Sequence, residues 1–134
     1  MARILIVEDN PEFCRMLLAY LSRHAHEGEI SSVVSGGEAV ARAQAFQPDV
    51  VIIGIQLPQG NGLETARAIG KIIPGCQFII LSMFDASRYQ FLVKGIKVAA
   101  MIEKGALLEE LLPAIKRALK PQSPLSRKRS FPPS

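Results

Sequence analysis

The sequence predicts one three-layer α/β domain, a doubly wound parallel sheet with helices on both faces. Three observations carry this. Residues 50–53, Val-Val-Ile-Ile, are all β-branched, which reads as a strand buried on both faces inside a parallel sheet. Five strand signals alternate with five helical ones, and the short linkers between them favour right-handed crossovers. The chain has 134 residues, enough for one domain with a real core and too few for two.

The elements follow in order. Arg3 to Val7 is a short apolar strand closed by Glu8-Asp9-Asn10. Asn10-Pro11 reads as an N-cap with proline at the first helical position. Phe13, Met16, Leu17, Tyr20 and Leu21 then recur at helical spacing to about His24. Residues 30–34 form a second, weaker strand. Ser35-Gly36-Gly37-Glu38 is a turn and cap, and an alanine-rich helix over 39–46 is stopped by Gln47-Pro48. The central strand, 49–54, ends at Gly54 and gives way to a Pro/Gly/Asn loop. Gly62-Leu63-Glu64 opens a helix marked by Leu63, Ala66, Ile69 and Ile73 and ended by Pro74-Gly75. Residues 77–82 are another buried strand. Asp85-Ala86 caps a helix to about Gly95, and residues 99–103 form the last strand. Leu107, Leu108, Leu111, Leu112, Ile115 and Leu119 line a final helix, with Pro113 placed to kink it or to restart its first turn. Residues 1–120 are thus the domain, and 121–134, rich in proline and serine, read as a flexible basic tail or a truncated linker.

Composition narrows the class. Hydrophobic residues make up 49% of the chain, which excludes a disordered polymer. No apolar run approaches the ~20 residues of a membrane helix, so no membrane partner is expected. The opening apolar patch meets Glu8-Asp9 too soon to be a signal peptide. Cys14 and Cys76 stand far apart with no CxxC, so neither a disulfide scaffold nor a zinc site is indicated, and a reducing cytoplasm is the expected location. Of the net charge of +4, three units belong to the tail. Arg127, Lys128 and Arg129 supply three of the sixteen basic residues, leaving thirteen against twelve acids in 1–120. The high pI is therefore not evidence for a nucleic-acid-binding domain.

Open parallel sheets hold ligands beyond the carboxyl ends of their strands. Glu8-Asp9, Gly54, Ser82 and Lys104 all fall there. An acidic pair, a hydroxyl and a lysine on one edge suit a phosphoryl group with Mg²⁺, which favours carboxylate and carbonyl oxygens and keeps waters. The lysine meets phosphoryl oxygens as a point charge, and the hydroxyl donates to another. Each residue also has a plainer reading. The acids cap the next helix, Ser82 bonds nearby backbone, Lys104 pairs with Glu8 or Asp9, and Gly54 marks a tight strand end.

Over residues 2–120, in order and spacing, the chain resembles the receiver domain of two-component response regulators. The pieces are Ile4-Leu5-Ile6-Val7-Glu8-Asp9-Asn10, Pro48-Asp49-Val50-Val51-Ile52-Ile53-Gly54-Ile55-Gln56-Leu57-Pro58 with Asn61-Gly62-Leu63-Glu64, Ile79-Ile80-Leu81-Ser82, and Ile102-Glu103-Lys104-Gly105. The resemblance implies a flavodoxin-like (βα)5 fold with sheet order 2-1-3-4-5. It implies Glu8 and Asp9 as Mg²⁺ ligands with the Gln56 carbonyl as a third, Ser82 as the switch hydroxyl and Lys104 as the switch lysine. It implies a histidine kinase or other signalling protein as partner, with homodimerisation or partner binding through 87–95, 99–102 and 107–120. Leu107-Leu108-Glu109-Glu110-Leu111 resembles the subgroup that precedes helix-turn-helix domains, so DNA would be met only through a domain outside this chain.

The departures from that pattern matter more. Gly54 stands where such receivers carry the aspartate that takes a phosphoryl group from a partner's histidine. Glycine cannot form the acyl phosphate, and with one carboxylate lost a weaker Mg²⁺ site is expected. Met101 replaces an aromatic residue that rotates on activation, and Gly105 a common proline. Asp49 lies ~17 Å from position 54 at ~3.3 Å per residue, and Asp85 lacks a strand-end position, so neither substitutes. Lys104 in contact with the acid pair is expected to occupy the vacated space. His24 and His26 suit a helix end and lack the helical bundle of a phosphotransfer histidine. Met16, Met83 and Met101 are expected in core or loop packing.

The expected protein is a non-enzymatic signal-transduction receiver, unable to accept phosphate at Gly54, acting through protein–protein contacts. The alternative is the N-terminal regulatory part of a DNA-binding transcriptional response regulator. An enzyme or nucleotide-binding protein is disfavoured, because Glu8-Asp9-Asn10-Pro11 is acidic where a phosphate loop would be glycine-rich.

Overall fold

The computed structural model describes residues 2–24, 28–57, 60–83 and 91–120. Strands β1 (Arg3–Val7), β2 (Glu29–Val33), β3 (Val50–Gly54), β4 (Gln77–Ser82) and β5 (Val98–Glu103) form one sheet. All neighbours are parallel, in the order β2-β1-β3-β4-β5. That is the expected flavodoxin-like order. The sequence misplaces strand starts by one residue: β2 spans Glu29–Val33, β3 begins at Val50 and β5 at Val98.

Alternation along the strands divides the core into two layers. Leu5, Val7, Val51, Ile53, Phe78 and Ile80 pack on one face of the sheet with α2 (Gly36–Phe46) and α3 (Gly62–Ile72). Ile4, Ile6, Val50, Ile52, Ile79 and Leu81 pack on the other with α1 (Pro11–His24) and α4 (Leu107–Leu119). Every residue of β3 is buried, as its β-branched run requires.

The helices begin where their caps place them. The Asn10 Oδ1 accepts the Phe13 N–H at 3.0 Å to start α1. At α2, the Ser35 Oγ accepts the Glu38 N–H at 3.3 Å while the Glu38 carboxylate accepts the Val34 N–H at 3.3 Å. This reciprocal capping starts α2 at Gly36, so both glycines belong to its first turn and not to a preceding loop. α2 ends with Gln47 in the left-handed conformation, φ 53°. The Asn61 Oδ1 accepts the Leu63 N–H at 2.7 Å and starts α3. Two short strands precede it, Gln56–Leu57 antiparallel to Gly60–Asn61, where the sequence shows only a loop. α4 follows a 3₁₀ turn at Lys104–Ala106 and carries Pro113 in its interior without interruption. Of the helix expected over 85–95, residues 85–90 lie outside the described residues, 91–93 form a 3₁₀ turn and Gly95 has φ +84°. The tail 121–134 and His26 also lie outside them. Two methionines expected in packing are surface residues, Met16 at 37% and Met83 at 62% exposure.

The loop after β3 is held by a close backbone approach. The Gly62 N–H donates to the Ile55 carbonyl at 2.6 Å, and a Cβ at position 62 would lie 1.8 Å from the Gly54 carbonyl oxygen. Only glycine fits there. Gly62→Ala is therefore expected to cost about 3 kcal/mol or more, as overpacking against rigid backbone does. An unfolding free energy from urea titration within about 0.5 kcal/mol of wild type would contradict this contact.

Cys76, at 1% exposure, has its thiol pushed up from 9.0 to about 12 by desolvation and, secondarily, by Asp49. The unfolded thiol thus ionises first. Across pH 9 to 12 the native state keeps a proton that the unfolded state has lost, so stability falls as pH rises. Urea midpoints over that window should decline, and Cys76→Ala should flatten part of the decline.

Candidate functional site

The carboxyl ends of β1, β3 and β4 and the 3₁₀ turn after β5 meet in one cleft of about 130 Å³, lined by Asp9, Gly54, Gln56, Ser82, Met83 and Lys104 among others. Glu8 continues β1 by one hydrogen bond, its N–H donating to the Val33 carbonyl at 3.1 Å. It is 2% exposed. A buried carboxylate requires a partner, and Glu8 has two. The Lys104 Nζ lies 3.1 Å from Oε1, and the Asn10 N–H donates to Oε2 at 3.0 Å. The Lys104 ammonium also sits over the Phe13 ring, 4.3 Å from its centroid, a cation–π contact.

β1 and β5 are not neighbours in the sheet, since β3 and β4 lie between them. The Glu8–Lys104 pair therefore spans the ends of the two intervening strands, where Gly54 and Ser82 stand. A Cβ at position 54 would lie 3.5 Å from the Glu8 Oε1 and 3.9 Å from the Gln56 carbonyl oxygen, ordinary contact distances. Position 54 thus accepts a Cβ without backbone movement, and glycine there is no steric necessity at that atom.

The structure brings together Glu8, Asp9, Gly54, Gln56, Ser82 and Lys104. Asp9 is exposed at the rim, while Ser82 is buried and pairs in register with Glu103. Met101 stands apart, half-buried and packed on the face that holds Phe78 and Ile80. Asp49 is at the far end, its Oδ2 accepting the Arg3 N–H at 2.8 Å. Phe13 was not legible as a site residue. It reads as one more apolar position of α1, and only its place one turn after the Asn10 cap aims the ring at Lys104. Glu8 is also more than a cap. Its carboxylate is an internal counter-charge.

Mg²⁺ favours near-octahedral oxygen coordination and usually engages one or two carboxylates and several waters. Both Glu8 oxygens already have partners in the chain, and one of those is an ammonium. What remains is the Asp9 carboxylate and the Gln56 carbonyl. Among the described residues no three His, Cys, Asp or Glu side chains gather as a ligand set. This donor set does not fit a dedicated magnesium centre while Lys104 holds Glu8.

The comparisons with known proteins agree with this architecture. The family model described as response regulator receiver domain matches residues 4–116. An uncharacterized transcriptional regulatory protein, YxjL of Bacillus subtilis (strain 168), is 30% identical over 119 residues, 87% of this chain and 53% of that protein. Protein PilH of Pseudomonas aeruginosa is 41% identical over 71 residues, 53% of this chain and 57% of that protein. The chain thus spans about half the length of these curated relatives. The crystal structure of the response regulator domain of Thermotoga maritima CheB superposes with TM-score 0.77 at 24% identity, covering 92% of this chain and 99% of that one, a likeness of fold.

Breaking the ion pair from either side should have unequal costs. Lys104→Met strands a Glu8 carboxylate that is 2% exposed and should cost about 3 kcal/mol. Glu8→Gln leaves a lysine whose side chain is 23% exposed and reaches water, and should cost less. Equal, near-zero losses in urea unfolding would show that the pair does not form in solution.

Proposed function

The chain belongs to the response regulator receiver domain family, and on that premise we propose that it is a receiver lacking its phosphoryl acceptor, which signals by protein–protein contact. The observation that carries the reading is the Glu8–Lys104 pair beside Gly54. On the family's pattern, position 54 is where the acyl phosphate forms, and glycine offers no oxygen for that bond. Lys104, the switch lysine of the pattern, already has its charge answered by Glu8. Ser82 keeps the switch-hydroxyl position with no phosphoryl group to meet, and Met101 takes the place of the rotating aromatic. The residual cation site at Glu8, Asp9 and Gln56 is weak, because a cation there competes with the Lys104 ammonium for Glu8 and lacks a third carboxylate.

The domain spans 1–120, with 121–134 as tail or linker. The partner is a histidine kinase or another signalling protein of the cytoplasm, engaged as a non-enzymatic module. The described parts of the contact face, 91–95, 99–102 and 107–120, include exposed apolar side chains at Phe91, Leu92 and Leu108. This supports a role in docking or in homodimerisation. A second reading is the regulatory part of a DNA-binding transcriptional regulator. It is favoured by two observations: the chain spans 53% of one transcriptional regulatory relative and 40% of another, the DNA-binding transcriptional activator DevR/DosR of Mycobacterium tuberculosis. No helix of the described residues is long and apolar enough to cross a membrane.

Incubation of the whole chain with acetyl phosphate and Mg²⁺ should add no phosphoryl mass. Gly54→Asp, whose Cβ fits, should gain one phosphoryl group under the same conditions and bind Mg²⁺ at least about tenfold more tightly by calorimetry, a gain of about 1.4 kcal/mol. A phosphoryl adduct on the wild-type protein would overturn the reading.

A further inference from the structure

A second cleft, of about 350 Å³, opens at the edge of the sheet opposite Gly54, between the end of α3 and the turn before β5. Its floor is apolar: Cys76 and Phe78 are buried and Ile96 is half-buried. Its rim carries Arg67, Lys71 and Lys97, and no acid lines it. Asp49, which helps push up the Cys76 thiol, stands outside the lining and accepts the Arg3 N–H. Arg67 is held in place: its Nε donates to the Lys94 carbonyl at 3.4 Å and its Nη2 to the Leu92 carbonyl. Lys71 and Lys97 are exposed.

Two glycines line the cleft. Gly95 has φ +84°, so the turn itself demands glycine. Gly70 is different. It lies inside α3, where glycine is the least favourable residue short of proline. A Cβ there would meet only the edge of the Phe78 ring, at 3.8 Å. Neither helix nor packing calls for glycine at 70, but any larger side chain would project into the cleft.

We propose that this cleft binds a small apolar carboxylate, its body on Phe78 and Ile96 and its anion among Arg67, Lys71 and Lys97. An apolar floor with a few convergent charged groups is the usual make-up of a small-molecule site, and the volume lies near the lower end of the range of about 300–1,000 Å³ for such sites. The charge complementarity selects an anion: two lysines supply point charges, and Arg67 keeps further N–H donors beyond the two it spends on backbone. The site lies away from the Glu8–Lys104 pair and does not depend on whether position 54 accepts phosphate.

The test is a titration of the ¹⁵N-labelled full chain with 2-naphthoate, followed by amide spectra. Saturable shifts are expected at Gly70, Phe78, Ile96 and Lys97. The neutral isostere 2-naphthamide, and the surface variant Lys71→Glu with Lys97→Glu, should each bind at least about tenfold more weakly. Gly70→Leu should abolish the shifts while the remaining amides keep their positions. Absence of saturable shifts at these residues, equal binding of 2-naphthamide, or unchanged binding by either variant would overturn the proposal.

Discussion

The rest of the site depends on one requirement: a carboxylate at the end of β1 that is almost wholly out of water must be neutralised. Burying a charge is tolerated only with a close partner and filled hydrogen-bonding positions. Glu8 meets both conditions, with Lys104 on one oxygen and the Asn10 N–H on the other. The lysine arrives from beyond β5, so its reach across the ends of β3 and β4 fixes that edge of the sheet. Phe13 covers it from α1. An aspartate at position 54 would stand beside Glu8 and compete for the same ammonium. With glycine there, the pair is uncontested.

This shapes what the pocket does. A phosphoryl switch works because the modified state makes contacts that the unmodified state lacks, and a signal shifts an equilibrium only by such a difference. On the proposed reading, in which Lys104 is committed to Glu8 and position 54 offers no acceptor oxygen, that difference would have no source at this edge. The parts around it are kept: Ser82 at the end of β4, Gln56 in the loop, and Gly62 wedged against the Gly54 carbonyl. The retained backbone is compatible with glycine at position 54. The close Gly54–Gly62 approach is a demand of the β3–α3 connection and is indifferent to the side chain at 54.

Much of this was legible in the sequence. The β-branched run at 50–53 located the fully buried strand, and Asn10-Pro11 located the start of α1. The five-strand alternation led to the sheet, and the resemblance to its order. The misses have physical causes. The turn reading of Ser35-Gly36-Gly37-Glu38 undervalued a reciprocal cap strong enough to draw two glycines into a helix. The two-residue pairing of Gln56–Leu57 with Gly60–Asn61 is too short to leave a periodic signal. At the site, spacing brought Glu8, Asp9, Gly54, Ser82 and Lys104 to one edge. It did not say which acid Lys104 would choose. That follows from burial, since Glu8 is enclosed and Asp9 is hydrated. Phe13 over Lys104, and the cationic cleft under α3, arise from three-dimensional juxtaposition of residues that each look ordinary along the chain.

The central claim is that the pocket at Gly54 is satisfied by its own charges and takes no phosphoryl group. The most direct measurement is a titration of the ¹⁵N-labelled protein with beryllofluoride, a phosphoryl mimic, in the presence of Mg²⁺. The account predicts that the amides of Gly54, Ser82 and Lys104 stay where they are up to saturating beryllofluoride. Saturable shifts at those three amides would contradict it.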